Sequence, residues 1–216
     1  MYTQALSTIS IVSILGVNSL LPISEPVKNQ LAQKQFSLEN RQEGKYVNDV
    51  QKDNILLTTA YLSGKVSSKD QINWDEIRKP FHYSMTLNPG EAFAYHEAVM
   101  EKYQGKIIKT TNSHFNFEQG FKHDGILMGD GVCHFASLIE WVASDAGLQV
   151  EFPTNHDFAV INEVPKEHGV SIYFDPNNPG NSQRQNLYIV NNKQKAVEFV
   201  YEYDGVNLKV SVNELN

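Results

Sequence analysis

Cys133 is the residue of this chain best placed by its neighbours to do covalent chemistry. It is the single cysteine, and it follows Gly129-Asp130-Gly131-Val132 and precedes His134. Beyond it, Phe135, Leu138, Ile139, Val142 and Ala146 recur at helical spacing, which predicts a helix opening at the cysteine. Unpaired N–H groups and the helix dipole at such an opening favour a thiolate over a thiol. Asp130 can cap this helix and Gly147 can end it. Glycines on both sides of Asp130 permit a tight turn and leave room for a substrate beside the sulfur.

A cysteine nucleophile needs a base, and the next candidate on a separate element is His156, at the start of the strand-like run FAVI. Asp175, ending the run VSIYF, is the preferred group to orient that imidazole, with Asn155 and Asp157 as alternatives. Cys133, His156 and Asp175 then form the expected catalytic set. Asp130, Gly131, His134 and Asn155 are the expected substrate contacts. The plain alternative is that Cys133 packs under its helix, as free cysteines commonly do, while His156 satisfies a loop backbone. A metal reading would draw on His82, His96, His114, His123, His134, His156 and His168. None of them shows the spacing of a zinc motif, so neither metal nor cofactor is expected.

The elements that must position these residues read as an α+β plan, with N-terminal helices followed by a mainly antiparallel sheet on which the Cys133 helix packs. Helices are predicted over Val47–Leu62, stopped by Gly64, and around Trp74–Lys79, stopped by Pro80. HYSMTL and KIIKTT read as strands. After the central helix come LQVEF, FAVI, VSIYF, LYIV, AVEFVYEY and NLKVSV, the last two joined by the hairpin signal Asp204-Gly205.

Ala5 to Ile23 is uncharged and largely apolar, and is the candidate signal peptide or membrane tether within residues 1–23. Residues 24–44 are polar and read as a linker, leaving residues 45–216 as the folded domain. Hydrophobic residues make up 41% and charged residues 20% of the 216, as in ordinary globular chains. The formal net charge of -7 argues against a nucleic-acid partner. A lone cysteine leaves no disulfide framework.

Two stretches resemble the VanW family of bacterial envelope proteins. One is MTLNPGEAFAYHEAV, from Met85 to Val99. The other is GFKHDGILMGDGVCHFASLIEWVASDAGLQV with the NHDF that follows it. Carried over by residue, the likeness singles out Gly131, Cys133 and His156. It departs from the family at Asp130, which stands for a glycine, at His134, which stands for a glutamine, and at Asp157, which stands for a serine. The resemblance implies an extracytoplasmic, cell-envelope location and a cell-wall peptide or glycan as partner. The order of cysteine, histidine and aspartate is also similar to that of transglutaminase-like and papain-like thiol enzymes. A thiol hydrolase or acyl transferase is one expectation. A binding or scaffold module that meets the wall through a sheet edge or the Phe93-Tyr95 region is the other.

Overall fold

The computed structural model describes residues 28–125 and 129–216. The apolar stretch from Ala5 to Ile23 lies outside them. No helix among the described residues is long and apolar enough to cross a membrane.

Residues expected to be a linker instead open the fold. Strand β1, Lys28–Ser37, pairs antiparallel with the C-terminal strand β8, Asn207–Leu215. Its polarity follows from its place at a sheet edge, where few side chains need reach the core. Phe36 and Leu38 are buried, while Leu31 and Ala32 pack partly against the core. Arg41, just beyond, is buried and carries its guanidinium to the Ser37 and Asn162 carbonyls and the Glu163 carboxylate. Residues 28–44 thus belong to the domain.

Helix α1, Lys45–Ser63, ends at Gly64, whose φ of 76° supplies the left-handed turn that closes it. It is buried on nearly all sides, which explains its imperfect apolar spacing. Its polar residues are satisfied locally: Thr58 and Thr59 donate to the Asn54 and Ile55 carbonyls, and Asn54 donates to the Lys122 and Asp130 carbonyls. Helix α2, Trp74–Ile77, is capped by the Asn73 side chain and stopped before Pro80.

The sheets are two. The first has the order β1-β8-β7-β2 and is antiparallel throughout, with β2 at Phe81–Leu87 and β7 at Val197–Tyr203. The second has the order β4-β3-β6-β5, comprising β3 at Ala92–Ala94, β4 at Ile107–Lys109, β5 at Gln149–Glu151 and β6 at Tyr188–Val190. Only its β3 and β4 pair run parallel. Ala92 and Ala94 pack with Tyr103 and Tyr188 on one face, and Phe93 and Tyr95 enter the main core on the other. The Phe93-Tyr95 region is therefore closed to partners, because strand alternation buries both of its faces.

Helix α3, Val132–Asp145, touches α1, β1, β8 and β5. Phe135, Leu138, Ile139, Val142 and Ala146 are all buried, as their spacing predicts. The architecture is α+β, with helices packed against sheets. Neither FAVI nor VSIYF joins a sheet, apart from one bridge between Asn155 and Val170. The reason lies at the end of α3 where Cys133 sits.

Candidate functional site

Helix α3 starts at Gly131, with φ of 96°, and no side chain caps it. Asp130 was the expected cap, but its carboxylate accepts instead from the Asp124 N–H at 3.3 Å, and burial pushes its pKa up to about 6. Gly131 leaves no room for a substrate. A side chain there would meet the Gln51 carbonyl oxygen of α1 at 2.6 Å, so the glycine exists to let α1 approach. Tyr95 fixes the same turn by donating its hydroxyl to the Val132 carbonyl at 2.9 Å.

The Val132 N–H bonds back to the Gly129 carbonyl at 3.1 Å, and that of Phe135 to the Gly131 carbonyl at 3.2 Å. Those of Cys133 and His134 meet no backbone acceptor among the described residues. Such a pair of donors can hold an oxyanion.

Cys133 is half-buried, and its sulfur lies against the extended segment Val170–Phe174. The Ile172 N–H donates to Sγ at 3.4 Å, and the thiol faces the Ile172 carbonyl at 3.7 Å. One turn along, Ser137 Oγ accepts from the Val170 N–H at 2.9 Å. These two side chains take the hydrogen bonds that a neighbouring strand would otherwise make, so VSIYF lies along the helix end rather than inside a sheet. Burial pushes the Cys133 thiol up to about 11. The thiol is therefore protonated at neutral pH, contrary to the activation expected of a helix N-terminus: desolvation outweighs the dipole here.

His156 is buried, and its N–H bonds to the Gly169 carbonyl at 2.9 Å. Burial lowers its pKa, so the ring is neutral at pH 7. Nδ1 lies 3.1 Å from the Ala159 carbonyl, which can only accept. Nδ1 therefore carries the proton, and Nε2 keeps a free lone pair. That is the tautomer a general base requires.

The group that orients the imidazole is thus the Ala159 carbonyl. Asp175 is half-buried and opens the turn into helix α4, Pro179–Arg184. Its Oδ1 accepts from the Asn177 N–H, and its own N–H donates to Ser182 Oγ, both at 2.9 Å. No hydrogen bond joins Cys133 to His156 or His156 to Asp175 among the described residues. His134 is buried, its ring stands edge to face with that of His156 at 6.2 Å, and burial holds the ring neutral by lowering its pKa to about 3. Asn155 is exposed beside the bridge to Val170. Among the described residues no three His, Cys, Asp or Glu side chains gather as metal ligands.

Sequence reasoning missed two participants. The Ala159 carbonyl carries no sequence signature, since every residue has one. The pair of half-buried His168, through Nδ1, and buried Glu140, through Oε2, 2.7 Å apart, ties the segment before Gly169 to α3. A glutamate on the apolar stretch of a predicted helix was its only trace. Comparison of the chain with family models, with curated proteins and with solved structures returns no match.

Proposed function

We propose that this protein is a thiol hydrolase or acyl transferase that uses Cys133 and His156 on a peptide substrate. The observation that carries the reading is the His156 tautomer, with Nδ1 committed to Ala159 and Nε2 left as a base, in a ring 6.2 Å from that of His134, the residue that follows the lone thiol. In the resting arrangement Ile172 holds the thiol back. The reaction begins when Sγ leaves Ile172 and gives its proton to His156 Nε2. The thiolate forms a C–S bond to the acyl carbon, and the N–H groups of Cys133 and His134 face the developing oxyanion. Collapse breaks the acyl C–N bond as Nε2 returns the proton to the leaving amine. Water, or a second amine in a transferase, then opens the thioester.

The location that accompanies this reading, the cell envelope, rests on the VanW-like motifs and the apolar segment. Fractionation of cells expressing the full chain tests it.

A structural cysteine in a binding module is the second reading, favoured by the Ile172 contact and the raised thiol pKa. Treatment with a peptidyl vinyl sulfone separates the two. The hydrolase reading expects a covalent adduct on Cys133, lost in Cys133→Ala and slowed about a hundredfold or more in His156→Ala, the scale of general-base assistance. Labelling no faster than that of a free peptide thiol, and indifferent to His156, sinks it.

A further inference from the structure

We infer that Asp157–Ile161 and the cavity beneath it bind an extended peptide and seat one of its uncharged apolar side chains. As the acyl-side subsite of the thiol chemistry it rests on that reading, although the binding itself is measurable without it.

The cavity has a volume of about 270 Å³ and is walled by His156, Phe158, Val160, Ile161, Val164 and Pro165. Pockets for drug-sized ligands run from roughly 300 to 1,000 Å³, so this one suits one or two residues of a chain rather than a cofactor. Phe158 is 69% and Val160 81% exposed, although the Phe158 ring meets that of His156 at 4.0 Å.

The backbone above the cavity is equally unpartnered. From Asp157 to Ile161 no N–H donates to another described residue, and only two carbonyls accept, Ala159 from His156 and Ile161 from the Val164 N–H. The main chain of a bound peptide supplies donors and acceptors for these open groups.

The charge around the cavity selects the side chain. Asp157 and Lys166 face each other at 3.9 Å, and Glu163 is engaged by Arg41 and the Ser37 N–H. His156 is neutral. The field is balanced, so a charged side chain would lose hydration and gain no partner, whereas a leucine or phenylalanine loses nothing. Because Ala159 belongs to the same segment, peptide pairing there also bears on the group that holds His156.

The test is calorimetric titration of the full chain with acetyl-Ala-Leu-Ala-amide, with the Asp analogue and with a version N-methylated along its backbone. Saturable binding of the leucine peptide is expected, weakened about tenfold or more in the aspartate and N-methylated peptides and in Val160→Asp, whose side chain is at the surface. Cys133→Ala is expected to bind as well as the unaltered chain. Equal binding of the leucine and aspartate peptides, indifference to Val160→Asp, or no saturation in the millimolar range overturns the inference. Binding without any vinyl sulfone adduct keeps the peptide site and sinks the hydrolase. An adduct formed with no preference for apolar peptides does the reverse.

Discussion

The Cys133 sulfur and the backbone of Ile172 satisfy one another, with the amide donating to Sγ at 3.4 Å and the thiol facing the carbonyl at 3.7 Å. A thiol held in this way and buried ionises late, toward about 11 rather than the ordinary value near about 8.5. The rate of iodoacetamide alkylation without substrate should therefore stay low at neutral pH and climb only in the alkaline range. In urea the same cysteine should react at the ordinary thiol rate. Linkage carries the sign to stability: the folded form binds the proton more tightly, so stability is full below the unfolded pKa and falls as pH rises above it. Rapid alkylation of the folded protein at pH 7 would contradict the Ile172 contact.

Gly131→Ala tests the approach of α1 to the start of α3. The substitution places a Cβ at 2.6 Å from the Gln51 carbonyl oxygen and forces φ of 96° on an alanine. The backbone strain alone costs on the order of 1 to 3 kcal/mol, and the clash is with main chain that cannot swing away. A loss of about 3 kcal/mol or more in urea denaturation is expected. Gly64→Ala is the control, because its φ of 76° meets open space and only the strain is felt.

What was legible in the sequence tracks how far each element depends on its own residues. Helix α3 was legible because its large apolar residues, Phe135, Leu138, Ile139 and Val142, form a stripe in the chain, although His134 to Glu140 are buried on every side. Helix α1 was blurred because Asn54, Thr58 and Thr59 are buried yet satisfied by backbone carbonyls. Strand β1 read as a linker because an edge strand needs few apolar residues. FAVI and VSIYF have strand composition, but Cys133 and Ser137 claim the second run's amides and the first run lies over the cavity. Cys133 and His156 were singled out by type, whereas the carbonyl of Ala159 that meets the His156 ring, in place of Asp175, is something sequence cannot signal.

Buried histidines set the acid limit. His96 is fully buried and its pKa lies near about 4, while that of His134 lies near about 3, in both cases because burial disfavours the charged ring. The unfolded chain binds these protons near pH about 6.5, so stability is full above that value and is lost as pH falls toward the folded values. Each histidine contributes a slope of about 1.4 kcal/mol per pH unit within that window. Urea midpoints at pH 7 and pH 5 should therefore differ, and His134→Gln should reduce the difference.

The pair of Glu140 and His168 carries the last prediction, because it anchors the segment that His156 depends on. The Glu140 side chain is 3% exposed; it accepts from Ser144 Oγ at 2.6 Å and meets His168 Nδ1 at 2.7 Å, while the His168 ring stacks on Trp141. Glu140→Gln keeps the shape and the Ser144 partner but removes the charge, at an expected cost of about 1 to 3 kcal/mol. The more telling readout is local. Gly169 follows His168 directly, and its carbonyl holds the His156 N–H at 2.9 Å. Releasing the anchor should raise amide exchange at His156 and Ser171 while leaving β7 and β8 protected, since those strands pair within the first sheet. Uniform loss of protection would mean that Glu140 supports the core as a whole. Unchanged exchange at His156 would mean that the bridge at Asn155 and Val170 holds the segment without help from His168.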